Sequence, residues 1–459
     1  MTTFTIFTLG CKVNQYESQQ IRELLEHCGL QKTEQPIKAD LIVVNTCCVT
    51  HTASSKSRQF IRKAHRYNPD STIVVSGCLP TVQIGELSAP AKNVHLVTNR
   101  SELAATLRDI AMSKIVTLEP QSPQSCPDYI KAKNGCKIKY KNEMEFESEL
   151  PELTRFEGQT RAFLKIQDGC NGYCRYCIVP KTRPKVRSKP ENIVIKEAQA
   201  LVGAGHKEIV ITGVFLGAYG MDTVHRKNWP QCRNDKLADL LDKLAKIENL
   251  ERIRLSSLEP ADVTPRLLDT LCRHRNIMPH LHLSLQSGSD AVLKKMCRQY
   301  DAEQFRETVA LVKERLDRPA ITTDIIVGFP GETDADFEET VALAKEIGFA
   351  KMHVFTFSPR KGTAAADMPD QVETKVIKER SKILRKLDAE LGFQFRSQFV
   401  GEAAEVLVEN DNGKISGRCE RYFMVQIKNP PKSITKNQIR RVRLTKNLKT
   451  TVSATIADR

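Results

Sequence analysis

Residues 162–177 read AFLKIQDGCNGYCRYC. An apolar run, Ala162–Ile166, ends in a glycine-containing turn, and three cysteines follow within eight residues: Cys170, Cys174 and Cys177. The run has the length and apolar continuity of a strand buried on both faces of a parallel sheet. A cysteine loop placed directly after such a strand lies where (β/α) barrels build their active sites. The spacing C-x-x-x-C-x-x-C wraps one corner of a small metal cluster. A structural zinc site takes four protein ligands, whereas three thiolates suit a [4Fe–4S] cluster with one iron left open. A zinc knuckle lacking its fourth ligand is the alternative.

Downstream, five more strand patterns alternate with helical ones: Glu208–Thr212, Arg252–Leu255, His280–Leu285, Thr322–Val327 and Met352–Phe355. Six β/α units without a second sheet predict a partial (β/α)6 barrel. A long helix over Glu373–Phe395 follows.

Upstream, the first ~110 residues also alternate. Phe4–Leu9, Leu41–Val44, Ile73–Val75 and Val94–Val97 read as buried strands, with helical segments such as Ser18–Cys28 and Ser54–Tyr67 between them. The fold class expected here is an α/β doubly wound domain. Three of its strands end in cysteine: Cys11 in TLGC, Cys47 in VVNTC and Cys78 in VVSGC. The C-terminal ends of parallel strands share one sheet edge, where doubly wound folds bind ligands. Three cysteines at equivalent positions therefore predict a second metal site. Cys48 adjoins Cys47, and neighbouring residues at a strand end tend to point apart. Cys28 and Cys272 end apolar helical patterns and are expected in cores. Cys126, Cys136 and Cys297 read as incidental thiols.

Residues 113–158 mix Pro, Ser, Lys and Glu and read as a linker, with room for a hairpin. The last ~65 residues change to short β-like runs, Ala403–Val408, Tyr422–Ile427, Ile439–Leu444 and Thr451–Ile456, which predict a small β-barrel. Net charge is +15 over 459 residues, and from Phe393 onward 13 Lys/Arg against 6 Asp/Glu leave 13 − 6 = +7. A basic surplus so concentrated favours an anionic partner, with nucleic acid first. The start, MTTFTIFTLGCKVNQYES, lacks the basic-then-apolar order of a signal peptide. No stretch approaches the ~18 apolar residues of a membrane span. A cytoplasmic location without membrane attachment is the expectation.

The cysteine loop and its place after a first barrel strand resemble the radical-SAM superfamily. That resemblance implies an open iron that chelates S-adenosylmethionine and a 5′-deoxyadenosyl radical made from it, with Tyr173 and Tyr176 shielding the cluster. Taken end to end, the chain resembles the methylthiotransferase family. The implied organisation is a cluster domain at 1–112, a linker at 113–158, a radical-SAM domain at 159–392 and a TRAM RNA-binding module at 393–459. Two [4Fe–4S] clusters are implied, one on Cys170, Cys174 and Cys177, the other on Cys11, Cys47 and Cys78 for sulfur transfer. TLGCKVNQYES looks most like the threonylcarbamoyladenosine tRNA type. Relatives acting on isopentenyladenosine read closer to GCQMN, and those acting on a ribosomal protein closer to GCPKN. The implied substrate is threonylcarbamoyladenosine next to the anticodon, at position 37. The implied partners are tRNA, an electron donor such as flavodoxin or ferredoxin, and a sulfur source. Isopentenyladenosine tRNA is the alternative substrate. A non-catalytic RNA-binding protein with structural metal sites is the rival of another class.

By the same resemblance, Gly213 (ITGVFLGAYG) belongs to the methionine-binding region. Ser257 and Glu259 (LSSLEP) and Gln286 (LSLQSGSD) follow the third and fourth strands. Gly328 and Gly331 (IIVGFPGET) resemble an adenine-contacting turn. The chain departs from its relatives at Pro184 in KTRPKVRSKP, in FTFSPRKGT, and at Cys297 in MCRQYD. A threonylcarbamoyl group carries a carboxylate, and an unpaired buried charge is costly. Lys12, Arg183 and Arg360 are the candidate cationic partners.

Overall fold

The computed structural model describes residues 2–82, 85, 87, 93–116, 150–225, 233–411, 413–431 and 433–457. It divides into two compact units, Met1–Leu153 and Thr154–Arg459. Most of the expected linker, with its hairpin and Cys126 and Cys136, lies outside the described residues.

The first unit is a five-stranded parallel sheet with helices on both faces. Its strands are β1 (Thr3–Thr8), β2 (Gln31–Lys32), β3 (Leu41–Thr46), β4 (Thr72–Gly77) and β5 (Val94–Leu96), in the order β2-β1-β3-β4-β5. Side chains alternate across a strand, and β3 shows the consequence. Leu41 and Val43 join Ile21, Leu24 and Leu25 of α1 (Lys12–His27) in one core. Ile42 and Val44 join Ala64 of α2 (His51–Tyr67) in the other. A short α3 (Cys78–Val82) follows β4, and α4 (Leu103–Val116) closes the unit on the α1 side. This strand order turns at β1/β3, the switch point at which such folds bind ligands. β2 is two exposed residues at the sheet edge, too short to leave a sequence pattern. Cys28 is half-buried against the α1 core.

The second unit contains six parallel strand positions. β6 (Ala162–Asp168) is flanked by the short antiparallel β7 (Arg187–Ser188), and β8 (Glu208–Gly213) and β9 (Arg252–Leu255) follow it. The third position is broken at Ser256, so that β10 (Ser257–Leu258) starts a second sheet with β11 (His280–Leu283), β12 (Ala320–Val327) and β13 (Lys351–Thr356). The connecting helices are α5 (Val179–Thr182), α6 (Glu191–Gly203), α7 (Lys236–Leu244), α8 (Pro265–Arg273), α9 (Asp290–Lys295), α10 (Ala302–Arg315) and α11 (Asp334–Ile347). Their amphipathic faces pack outside the arc; Leu267, Leu268 and Leu271 of α8 are buried. Cys272, expected in that core, is exposed, because it falls one residue past the apolar stripe.

The long α12 (Thr374–Ser397) leads into a closed five-stranded barrel, β14 (Ala403–Asn410), β15 (Ser416–Cys419), β16 (Met424–Ile427), β17 (Ile439–Asn447) and β18 (Val452–Ile456). Val406, Val425, Val442 and Val452 fill it, together with Phe395 and Phe399 from the end of α12. Burying each such side chain is worth roughly 1.5–3 kcal/mol. The barrel is also tied to the β/α arc. Arg252 donates to the carbonyls of Glu405 (2.9 Å) and Arg418 (3.1 Å), and Arg254 to that of Glu420 (3.1 Å). Arg161, Arg254 and Arg418 all lie over the Tyr422 ring, which packs on His280 at 4.5 Å. No helix among the described residues is long and apolar enough to cross a membrane.

Candidate active sites

In the first unit, Cys11 caps α1 after β1, Cys47 follows β3, and Cys78 opens α3 after β4. These three strands are neighbours, so the cysteines share one sheet edge at the switch point. The local sequence is built for that approach. Gly10 has φ +104°, and a β-carbon there would lie 2.6 Å from Cys47 Cβ and 2.9 Å from Cys47 Sγ. Asn14 donates to the carbonyls of Leu9 and Thr46, both at 2.8 Å, and so joins the turns after β1 and β3. Cys11 is exposed, Cys47 and Cys78 are buried, and the Cys48 thiol turns to the Cys78 carbonyl at 3.4 Å. Arg100 donates to Cys78 Sγ at 3.3 Å while Glu17 holds its guanidinium at 2.8 Å.

In the second unit, Cys170, Cys174 and Cys177 line a cleft together with Ser257, Glu259, Gln286, Cys297 and Arg298. Gly169, at φ +80°, lets the strand turn tightly, since a β-carbon there would strike the Lys185 carbonyl. The loop is stitched in place by backbone hydrogen bonds. Cys170 N donates to Arg183 O (2.8 Å), Arg175 N to Met296 O (3.1 Å), and Ala365 N to Arg175 O (2.8 Å). Tyr173 is exposed and stacks on His225 at 4.1 Å.

A buried arginine organises this cleft. Arg298 donates to Cys174 Sγ at 3.1 Å and to the Tyr176 hydroxyl at 3.3 Å, and it forms an ion pair with Glu259. Each cysteine triad thus has one sulfur facing an arginine that a glutamate holds. Sequence reasoning missed both arginines; Arg298 directly follows Cys297, whose φ of +57° turns the chain.

The donor chemistry fits an iron–sulfur cluster. Burial pushes the Cys170 thiol up to about 11, and burial with the neighbouring Cys174 pushes Cys177 up to about 12. Such thiols stay protonated at neutral pH unless a strongly cationic group displaces the protons, as a coordinating metal does. Cysteine sulfur is the ligand that iron–sulfur chemistry selects.

Of the other residues singled out by sequence, Ser257, Glu259 and Gln286 line the cleft. Gly213, Gly328 and Gly331 are not among its lining residues. Gly213 makes room for Gln167, whose Cβ would lie 3.1 Å from an added β-carbon. Gly328, at φ +77°, packs under Ile377 of α12, and the Gly331 carbonyl accepts from Lys295 at 2.7 Å. Lys12 is half-buried beside Cys11. Arg183 is buried and paired with Asp168 at 2.6 Å. Arg360 is buried in the turn after β13, its carbonyl accepting from Thr363 N at 2.9 Å.

A strand-end three-cysteine loop on a six-stranded β/α arc defines the radical-SAM class. The model of the Radical SAM superfamily matches residues 164–344, and that of "Uncharacterized protein family UPF0004" matches residues 3–99. The chain is 38% identical to the threonylcarbamoyladenosine tRNA methylthiotransferase MtaB of Bacillus subtilis, over 93% of this chain and 91% of the relative. It is 36% identical to the tRNA-2-methylthio-N(6)-dimethylallyladenosine synthase of Bacillus mycoides, over 89% of this chain and 76% of that one. Its fold resembles the radical S-adenosylmethionine methyltransferase TsrM of Kitasatospora setae, with a TM-score of 0.53 at 14% identity over 80% of this chain and 75% of that one. The chain belongs to the radical-SAM methylthiotransferase family. Membership brings S-adenosylmethionine and a [4Fe–4S] cluster as cofactors of the radical-SAM domain.

Proposed function

We propose that this chain methylthiolates N6-threonylcarbamoyladenosine at position 37 of tRNA, next to the anticodon. The observation that carries the reading is similarity over 91% of the length of a relative named for that activity, with a cysteine triad on each of the two units. Cys170, Cys174 and Cys177 would hold one [4Fe–4S] cluster and Cys11, Cys47 and Cys78 a second. When bound, the first supplies the electron that splits S-adenosylmethionine into methionine and a 5′-deoxyadenosyl radical. A radical is required because the adenine carbon to be thiolated bears an unactivated C–H bond, which no side-chain acid or base in the pH-7 range breaks.

The chain's own groups prepare that chemistry. Arg298 and Glu259 neutralise each other beside the cysteine loop and fix Cys174. Ser257, Glu259 and Gln286 supply polar atoms to the wall of the cleft. Arg100 and Glu17 do for Cys78 what Arg298 and Glu259 do for Cys174. The C-terminal barrel grips phosphates without reading bases, through outward-facing residues of β17 such as Arg441 and Lys446, both exposed. Lys12, Arg183 and Arg360 are the proposed partners for the threonylcarbamoyl carboxylate. Arg183 already holds Asp168, so Lys12 ranks ahead of it. The reaction also calls for a one-electron donor such as flavodoxin or ferredoxin, and a sulfur source. The proposed setting is the cytoplasm, where tRNA is modified.

Dimethylallyladenosine, the isopentenyl alternative, is the second reading, supported by the 36% identity to the Bacillus mycoides synthase. Mass spectrometry of tRNA nucleosides from cells with and without the gene tests both. Loss of the 2-methylthio derivative of threonylcarbamoyladenosine supports the first reading; loss of the dimethylallyl derivative instead supports the second.

A further inference from the structure

We infer that His282, Asp324 and His353 form a binding site for one divalent first-row transition-metal ion, separate from the cysteine cleft. The three residues sit on adjacent parallel strands, β11, β12 and β13. Asp324 lies directly opposite His353 in the ladder, and His282 opposite Thr322, two residues before Asp324 on the same strand face. One ligand atom from each residue lies within 4.8 Å of the other two. His282 Nε2 is 3.3 Å from Asp324 Oδ2, and the two imidazole rings are 5.7 Å apart.

The surroundings orient the donors. His282 Nδ1 is 3.0 Å from Thr322 Oγ1, so the second ring nitrogen is the one turned to the carboxylate. This is the outer hydrogen bond that metal-ligating histidines ordinarily make. Lys351, the nearest cation along β13, pairs with Asp388. His282 and Asp324 are half-buried and His353 is exposed, which gives an ion a way in. A plain histidine–carboxylate hydrogen bond accounts for His282 but not for a second imidazole beside the same carboxylate.

Two imidazoles and one carboxylate select Mn, Fe, Co, Ni or Zn over Ca or Mg, which prefer all-oxygen sites. Three protein ligands leave positions open to water or to an anionic oxygen of a ligand. Along β11, His280 packs on Tyr422 of the C-terminal barrel, and Ser284 lines the cysteine cleft. His282 lies between them on the same face, ~7 Å along the chain from Ser284. None of the three proposed ligands lines the cysteine cleft.

The test is equilibrium dialysis of the full chain, its iron–sulfur sites loaded, against Zn2+, with zinc and iron per chain counted by mass spectrometry. The expected result is one zinc more per chain in the wild type than in the double variant His282→Gln/His353→Gln, at equal iron. Asp324→Asn should raise the zinc Kd by at least about tenfold. If the double variant fails to keep its iron, His353→Gln alone, at an exposed position, carries the same comparison. Equal zinc occupancy and affinity in wild type and variant would overturn the site. The outcome does not depend on which adenosine the chain modifies.

Discussion

Arg298 Nη1 stands 3.1 Å from Cys174 Sγ, and Glu259 holds the other end of the same guanidinium. Hydrogen bonds to ligand sulfurs are among the factors that set a cluster's reduction potential. A donor on sulfur stabilises the more negative, reduced state. Arg298→Gln should therefore lower the midpoint of the radical-SAM cluster by about 60 mV, the one-electron equivalent of a charge-assisted hydrogen bond of about 1.4 kcal/mol. An EPR-monitored redox titration reads this directly. An unchanged midpoint at full iron content would show that the arginine does not tune the cluster.

The two triads should separate by function. Cys174→Ala is expected to abolish S-adenosylmethionine cleavage. Cys47→Ala should keep cleavage and lose methylthiolated product. Cys297→Ser should keep both, because Cys297 lines the cleft without belonging to the three-cysteine loop. High-performance chromatography of 5′-deoxyadenosine and of the tRNA nucleosides separates these cases. Loss of cleavage in a folded Cys47→Ala variant would contradict the division.

Much of this arrangement was legible in the sequence, and what was not has identifiable causes. Strand ends marked by Gly10–Cys11 and Gly77–Cys78 could be placed because both glycines take positive φ in a recurring G-C pattern. The β2 and β15 strands left no apolar alternation to read: one is two exposed residues, the other is Ser-Gly-Arg-Cys. Arg298 and Arg100 went unseen because their partners Cys174 and Cys78 are 124 and 22 residues away. The turn motif at Gly328 and Gly331 implied contact with the adenine of a bound cofactor, which stays a proposal. In the structure one packs under α12 and the other accepts from Lys295.

RNA binding should reside in exposed charge on the C-terminal barrel rather than in its fold. Removing the barrel would strip Arg252 and Arg254 of their carbonyl partners, so charge substitution is the cleaner probe. Arg441→Gln with Lys446→Gln should weaken tRNA binding and reduce the salt slope by roughly one for each phosphate no longer neutralised. S-adenosylmethionine cleavage should be unaffected. Unchanged affinity across a salt series would remove β17 from the RNA-binding account.

Recognition of the threonylcarbamoyl carboxylate should require a cation. Lys12→Gln or Arg360→Gln, at least one of them, should cost ~1–3 kcal/mol in kcat/KM for threonylcarbamoyl tRNA, about ten- to a hundredfold. Arg183→Gln should chiefly disturb the loop through Asp168. Steady-state kinetics on modified tRNA check this. Wild-type efficiency in all three variants would show that the carboxylate is held elsewhere.

The most direct test is a competition. The chain, loaded with iron and sulfide under anaerobic conditions, is given S-adenosylmethionine, a one-electron reductant, and an equal mixture of threonylcarbamoyl- and isopentenyl-modified tRNA. Nucleoside mass spectrometry then follows both products. The account predicts 2-methylthio-threonylcarbamoyladenosine as the dominant product. Methylthiolation of the isopentenyl tRNA alone, or of neither tRNA by a chain that cleaves S-adenosylmethionine, would contradict it.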